Sequence, residues 1–275
     1  ELHDEVHARP PARIRVPALV TYLAVINDGV SRDDEWEHLR RLPGQQDLSK
    51  DSLRGNFARL RLGSHTLKWE RHTEFTSYAV VQALPKPTLL TLLHDELPPV
   101  AVGADWLAAI PGKTMAAVQL ALVEGNLDDP QAALTLGRTW FGGHEVVASL
   151  MGGGHSCVLT DFYRVDNGFE RMLVMAPPGT TPTRAGRVSG RLLELEIYRL
   201  MALRGLPVAK ALGPVLGDAE RTLAQITAKL EDEHTSDHEL LDRLTSLAAR
   251  VELATAEHGF RFSATQAYDA LVRQR

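Results

Sequence analysis

Residues 66–84, TLKWERHTEFTSYAVVQAL, contain the pattern that decides the fold. Both halves are rich in β-branched and aromatic residues, which favour strands, and each half has the length of one strand. The stretch therefore predicts two sequential strands, and similar patterns occur on both sides of it. The other predicted strands lie at 18–28, 56–62, 113–125, 144–151, 156–165 and 169–176. Periodicity alone also allows a helix at 113–125, and the surrounding strands favour a strand there.

From residue 183 onward, apolar residues recur at three- and four-residue intervals, which is typical of amphipathic helices. We therefore predict an α+β protein. Residues 1–182 are expected to form a mixed domain built on an antiparallel sheet. Residues 183–275 are expected to form long helices, as a hairpin or bundle, that pack on this sheet.

Helix boundaries are predicted from capping residues and helix breakers. Ser31 is expected to cap a short helix in the first half of the chain. Gly205 and Pro207 are expected to end the first long helix, and Ser263 is expected to cap a further one. The polar stretch 231–239 is expected to form an exposed turn between helices.

The composition is that of a globular protein, and it excludes several classes of function. Hydrophobic residues make up 44% of the 275 residues and charged residues 24%, so a core of good size can form. The formal net charge of −5 argues against a nucleic-acid partner. The single cysteine, Cys157, excludes an internal disulfide and fits a reducing compartment. We find no window of about 18 apolar residues and no secretory signal.

The segment 68–75 carries the first candidate site. If it continues as one strand, Lys68, Glu70, His72 and Glu74 share a face, because side chains alternate along a strand. Two carboxylates then flank one imidazole, which suits acid–base catalysis by His72 or a labile divalent transition metal. The alternative is an exposed charged face that pairs with a neighbouring strand. We expect no tightly bound structural zinc, because cysteine ligands are absent.

The segment VHARP, residues 6–10, is the second candidate. His7 is a candidate catalytic residue, and Arg9, held extended before Pro10, is free to bind a carboxylate or phosphate. We expect His7 or Arg9 to approach the side chains of segment 68–75 within about 8 Å, the reach of one bridging ligand or water. The alternative is an N-terminal segment without a functional role.

Asp161 is the third candidate, because it is expected to lie on a strand, within an otherwise apolar run that follows a glycine-rich turn. Burying an acid costs several kcal/mol unless it is paired, so Asp161 needs a cationic partner or contact with water. We expect its strand to neighbour the one that carries His72. We also expect its carboxylate to bind an arginine such as Arg9, Arg71 or Arg191.

The fourth candidate is a stripe of polar residues on the first long helix. Arg187, Arg191, Glu194 and Tyr198 follow one another at spacings of four, three and four, so they share one helix face. The stripe is either an ordinary solvated face or the lid of a polar pocket. The chain contains no phosphate-binding P-loop, no dinucleotide fingerprint and no G-x-S-x-G nucleophile elbow.

Four segments resemble a known family. EVHARPP, LKWERHTEF, TDFYRVDNGF and GRLLELEIYRLMALRGLPVAK are similar, in this order, to the signature segments of the domain-of-unknown-function family 3422. The residues on which the resemblance falls are His7, Arg9, Pro10, Trp69, Glu70, Arg71, His72, Glu74, Asp161, Arg191, Glu194 and Tyr198.

The resemblance implies a location but no activity. It implies membrane-anchored bacterial proteins in which a soluble region is followed by a helical stalk and a hydrophobic anchor. We therefore expect an anchor beyond Arg275 and a soluble part at the cytoplasmic face of the inner membrane. The cofactor is left open.

Three classes of function remain open after the sequence alone. The first is an enzyme that uses acid–base or metal-assisted chemistry on a small anionic substrate, with His72, Glu70, Glu74 and His7 as its catalytic residues. The second is a non-catalytic ligand-binding or sensing domain tethered to the inner membrane. The third is a structural protein that self-associates through its helices. In the first two classes Arg9, Arg71, Asp161, Arg191, Glu194 and Tyr198 are the expected ligand-binding residues.

Overall fold

The predicted α+β class is confirmed by the computed structural model, which describes residues 12–53, 55–84, 97–230 and 236–274. Within these residues eight strands form one sheet, and each predicted strand region contains one of them. The strands are β1 (Ala18–Ile26), β2 (Phe57–Leu62), β3 (His65–Arg71), β4 (Phe75–Ala83), β5 (Lys113–Glu124), β6 (Val147–Met151), β7 (Ser156–Thr160) and β8 (Glu170–Ala176).

The sheet is mostly antiparallel. Its strand order is β2-β3-β4-β1-β5-β8-β7-β6. Of the neighbouring strands, only β5 and β8 run parallel. Between these two strands in the sequence, the chain forms the hairpin of β6 and β7, and β8 then pairs with both β7 and β5. β8 therefore lies beside the central strand β5, whereas β7 and β3 are each the second strand from opposite edges of the sheet.

The helices come from both halves of the chain. Sequence analysis did not predict α2 and α3, whereas α1 begins after the predicted Ser31 cap. The Ser31 hydroxyl accepts the Asp34 amide, and the Asp34 carboxylate accepts the Ser31 amide at 2.8 Å, so both amides have partners. The α-helices of the described residues are α1 (Arg32–Arg40), α2 (Ala104–Ala108), α3 (Pro130–Trp140), α4 (Pro182–Leu203), α5 (Gly205–Lys229) and α6 (Asp237–Arg273).

One predicted helix boundary is confirmed and one is wrong. The first long helix, α4, ends at Leu203, just before Gly205, as predicted. A second helix, α5, begins at Gly205, and Pro207 lies in its first turn, where a missing amide proton costs no helical hydrogen bond. Ser263 lies inside α6, which continues through it without interruption. The predicted turn at 231–239 begins outside the described residues, and its last residues already belong to α6.

Two compact units divide the chain between Glu194 and Leu195, inside α4. The first contains the sheet with α1, α2 and α3. In the second, α5 and α6 pack against each other through a small apolar cluster of Ile226, Leu240 and Leu247. The predicted packing of the helical region on the sheet stays a prediction.

Two hydrophobic clusters occupy one face of the sheet. The first joins Leu23 of β1 to α1 and α2 and includes Leu39 and Leu107. The second joins Leu19 of β1 to α3 and includes Trp140. Because Leu19 and Leu23 lie on the same strand face, the clusters are separated along β1 by Thr21 alone.

Candidate functional site

A row of polar residues crosses the sheet between the two hydrophobic clusters. Thr21 of β1 pairs with Gln119 of β5, and Gln119 pairs with Arg171 of β8. Residues in register share a face, so all three lie on the face that carries both clusters. All three are buried, which is unusual for an arginine in the middle of a sheet.

Asp161 neutralises this buried arginine. It directly follows β7, and its carboxylate oxygen Oδ2 accepts a hydrogen bond from Arg171 Nη2 at 2.8 Å. The Arg171 side chain is 2% exposed and the Asp161 side chain 1%. The same Oδ2 lies 2.9 Å from His144 Nδ1, and His144 is 47% exposed. A buried ion pair thus holds a half-exposed imidazole.

Local contacts fix the position of Asp161. Its Oδ1 accepts the Tyr163 amide at 3.1 Å, and the Thr160 hydroxyl accepts the Phe162 amide at 3.1 Å. Phe162 has a φ of 52°, a left-handed conformation that is strained for a bulky residue. The two hydrogen bonds stabilise this strained turn, which aims Asp161 at Arg171.

The pKa of Asp161 is lowered. Burial alone would raise this pKa, but hydrogen bonds from His144 and the Tyr163 amide, together with the charge and hydrogen bond of Arg171, outweigh it. Asp161 is therefore ionised at neutral pH, and His144 donates its Nδ1 proton to it when the imidazole is neutral.

The end of α3 brings His144 to this cluster. Gly137 lets α3 lie close to β7, because a Cβ at this position would meet Leu159 Cδ2 at 2.4 Å. Phe141 then ends α3 with its ring 5.4 Å from the Arg171 guanidinium carbon. His144 follows three residues later, beside Tyr163, at a ring distance of 5.2 Å.

A groove of about 1240 Å³ opens over the polar row. Its walls come from α2, the end of α3 and the β7–β8 connection. Within the part of the chain that the structure describes, Nε and Nη1 of Arg171 have no hydrogen-bond partner, although both are buried. The polar residues that line the groove include Gln119, His144, Tyr163, Arg164, Asp166 and Arg171.

A second buried ion pair lies on the same sheet face, beneath α1. Glu35 of α1 is 0% exposed, and its Oε1 lies 2.8 Å from Arg71 Nη1 at the end of β3. The Thr76 hydroxyl donates to the same oxygen at 2.6 Å, and Arg71 Nη2 donates to the Val30 carbonyl at 2.8 Å. This pair fixes the start of α1 on the sheet.

His38, one turn after Glu35, is buried as a neutral imidazole. Its ring stacks on Trp106 at 4.2 Å, and neither ring nitrogen has a hydrogen-bond partner among the described residues. Burial first, and the nearby Arg41 charge second, lower the pKa of His38 to about 4.

The neutral His38 predicts a specific pH dependence of stability. A histidine in an unfolded chain titrates near pH 6.5. Between about pH 6.5 and 4, His38 is therefore protonated in the unfolded chain and neutral in the folded one. The free energy of unfolding should fall by about 3 kcal/mol across this window as the pH is lowered. His38→Phe should keep the ring contact and lose this contribution in urea titrations. An equal pH dependence in His38→Phe and wild type would contradict the assignment, and His238→Phe, at an exposed position, is the matched control.

The predicted strand through segment 68–75 is interrupted. β3 ends at Arg71, and His72 lies in the turn to β4, where its ring stacks on Phe75 at 4.2 Å. Glu70 pairs with Lys68 at 2.8 Å. The expected face of four residues is therefore wrong, because the chain turns before Glu74. The catalytic roles of Glu70, His72 and Glu74 stay predictions.

The other predicted residues are dispersed. His7 and Arg9 lie outside the described residues. Arg191 and Glu194 lie on α4, and Tyr198 stacks on Tyr268 at 5.9 Å in the second unit. None of the three has a role that the contacts reveal.

The prediction for Asp161 is half correct. Its carboxylate binds an arginine as expected, but the partner is Arg171, which was not among the expected candidates. Its strand does not neighbour β3, because β7 lies between β8 and β6. Arg171 could have been suspected from a charge inside the apolar run of β8, whereas nothing in the sequence pointed to His144 or Gln119.

The described residues contain no cluster that is typical of a metal site. Histidine, cysteine, aspartate and glutamate form no group of three there that could hold a metal ion. A labile metal at His72 therefore has no support from the described geometry and stays a prediction.

Fold and groove together define an α+β protein with an eight-stranded sheet, three long helices and a polar groove on one sheet face, as far as the described residues extend. The chain belongs to the DUF3422 family, which is described as protein of unknown function and matches residues 1–275. No curated protein and no solved structure matches the chain.

Proposed function

We propose that the protein binds a small anionic molecule in the groove, with Arg171 as the anchoring residue. One observation carries the proposal: a guanidinium that is 2% exposed lines the groove and leaves Nε and Nη1 without partners. Leaving a buried charged donor without a hydrogen-bond partner costs about 1–3 kcal/mol or more, so the unpartnered nitrogens of Arg171 require an explanation. An anion in the groove would supply the missing acceptors.

Asp161 prepares Arg171 for this role. It uses Nη2 and holds the guanidinium in one orientation, so an incoming ligand meets donors that are already positioned. Gln119 adds a carboxamide beside Arg171 on the same sheet face. An arginine with fixed donors is suited to carboxylate or phosphate oxygens.

The proposal predicts that anion binding depends on Arg171. Arg171→Gln alone would leave Asp161 buried and unpaired, so the double variant Asp161→Asn/Arg171→Gln is the better test, since it removes both charges. We expect this variant to fold and to bind benzoate, acetate or phosphate at least tenfold more weakly than wild type, because a charge-assisted hydrogen bond contributes about 1.5–3 kcal/mol. Isothermal titration calorimetry measures the difference.

The control for this experiment is Asp218→Asn/Arg250→Gln. It also removes one aspartate and its arginine partner, but this pair is half exposed and does not line the groove. Binding that is equally strong in wild type and the double variant would show that Arg171 is not the anchor.

A second candidate function is acid–base catalysis by His144. The hydrogen bond between Nδ1 and ionised Asp161 leaves Nε2 as the acceptor in the neutral imidazole, and the His144 side chain lines the groove at 47% exposure. Nitrogen-15 NMR of His144 tests this directly. Protonation of Nε2 in the neutral ring would exclude the role of general base.

The proposal of a membrane-tethered bacterial sensing or binding protein rests on the family resemblance. One helical segment, Pro182–Lys229, is long and apolar enough to cross a membrane by length and composition, with a mean hydropathy of 1.2 over 18 residues. The sequence analysis did not anticipate this window. Fractionation of cells that express the full-length protein is the test, and recovery in the soluble fraction alone would contradict the tether.

A further inference from the structure

We propose that the anion is the carboxylate of a monocarboxylic acid with an aromatic or short alkyl body. The inference rests on the proposed function and names its ligand class. Three features of the groove support this inference: the balance of its charges, the apolar surface beside Arg171, and the distance between this apolar surface and the polar part of the groove.

The charges at the groove cancel. The fully charged side chains that the described residues contribute to its lining are Arg164, Asp166 and Arg171, and Asp161 binds Arg171 from behind. Two arginines thus face two aspartates. A phosphate monoester or diphosphate brings two or more negative charges and needs an excess of positive charge to offset its desolvation. A carboxylate brings one charge and two oxygens, which the free donors of one guanidinium can satisfy.

The surface beside Arg171 is apolar. On the same sheet face, Leu23 of β1 pairs with Ala117 of β5, and both line the groove. Leu107 of α2 and Phe169 before β8 also line it, and all four belong to or contact the first hydrophobic cluster. An apolar ligand body gains about 25 cal/mol for each Å² that it buries on such a surface. A small hydrophilic acid would leave this part of the groove unused.

The polar and apolar parts lie one side-chain repeat apart. Gln119 and Ala117 are two residues apart on β5, which is about 6.5–7 Å along the strand. This spacing corresponds to an aryl or short alkyl carboxylate whose acid group reaches Arg171 while its body lies over Ala117 and Leu23.

Calorimetry on the wild-type chain with four probes tests the ligand class. The probes are 4-ethylbenzoate, its neutral amide 4-ethylbenzamide, 4-ethylphenyl phosphate, and acetate. We expect 4-ethylbenzoate to bind at least tenfold more tightly than each of the other three. The amide shows whether binding needs a negative charge on the ligand. The phosphate shows whether the groove prefers one negative charge or two, and acetate shows whether binding needs the apolar body.

A matched pair of variants tests the position of the body. Ala108 and Ala109 are neighbouring exposed residues at the end of α2, but only Ala108 lines the groove. Ala108→Glu adds a negative charge that repels both anions and a polar side chain that only the larger ligand body contacts, so it should weaken 4-ethylbenzoate binding at least fivefold more than it weakens acetate binding. Ala109→Glu should leave both affinities as they are in wild type.

The outcomes separate this inference from the proposed function. If 4-ethylphenyl phosphate binds most tightly and its binding depends on Arg171, the ligand is not a monocarboxylate, but the proposed anion site is retained. Equal affinity for acetate and 4-ethylbenzoate, or an Ala108→Glu variant with wild-type affinity, would overturn the apolar body. Binding of none of the probes, or binding that the Asp161→Asn/Arg171→Gln variant retains, would overturn the inference together with the proposed function.

Discussion

Asp161→Ala should lower the free energy of unfolding by about 3–5 kcal/mol, because it leaves the buried guanidinium of Arg171 without a counter-charge. The variant also removes the acceptor of His144 Nδ1 and of the Tyr163 amide, so the strained turn at Phe162 loses its support. Urea unfolding at neutral pH, followed by circular dichroism, measures the loss.

Two comparisons make this result specific. Asp218→Ala also removes an arginine-bound aspartate, but this pair is half exposed, so the loss of stability should be much smaller than in Asp161→Ala. Asp161→Asn/Arg171→Gln should be more stable than Asp161→Ala, since neither charge is then buried alone. An Asp161→Ala variant as stable as wild type would show that Arg171 does not need this carboxylate.

Arg71→Ala should have an effect of similar size in the other half of the sheet. It leaves Glu35, which is 0% exposed, with the Thr76 hydroxyl as its remaining hydrogen-bond donor among the described contacts. The expected loss is about 3–5 kcal/mol in the same urea experiment. Because Arg71 also donates to the Val30 carbonyl, amide hydrogen exchange in the first turn of α1 should accelerate.

The matched control is Arg250→Ala, which breaks an exposed pair and should cost much less stability than Arg71→Ala. The double variant Glu35→Leu/Arg71→Met replaces the ion pair by apolar side chains of similar size. It should recover much of the stability that Arg71→Ala loses. An Arg71→Ala variant that matches its control would show that the pair does not hold α1.

The two ion pairs differ in what surrounds them. Glu35 and Arg71 connect a helix to the sheet. Glu35 Oε1 has two donors within 3 Å, whereas Glu35 Oε2 is buried and has no hydrogen-bond partner among the described residues. Arg171 instead lines the groove, which neither Glu35 nor Arg71 does, and its Nε and Nη1 have no partner in the described structure. We therefore assign the first pair to stability and the second to ligand binding.

Most strands could be predicted from the sequence because their signal is local. β-Branched and aromatic residues mark β1, β4 and β5, and glycine-containing turns mark the hairpins around Gly63 and Gly153. The start of α3 also carries a local signal in the sequence, an N-cap residue followed by proline, although α3 was not predicted. Asp129 precedes Pro130, and its carboxylate accepts the amides of Gln131 and Ala132 at 3.0 and 3.1 Å.

The site was harder to predict because it depends on strand order. Arg171 lies on β8 and Asp161 directly follows the adjacent strand β7, and Gln119 joins them only through the parallel pairing of β5 with β8. Alternation within one segment could not reveal this pairing. It also suggested a strand face through His72, where the chain instead turns into β4. The helical spacing of Glu35 and His38 with Leu39 does place both polar residues on the buried stripe of α1.

Crystallography with 4-iodobenzoate tests the central claim most directly, since anomalous scattering locates the iodine without relying on the protein coordinates. The account predicts one bound molecule in the groove, with its carboxylate within hydrogen-bond distance of Arg171 Nε or Nη1 and its iodine over Leu23 and Ala117. Iodine sites found only outside the groove, with the Arg171 guanidinium contacting no ligand oxygen, would contradict it.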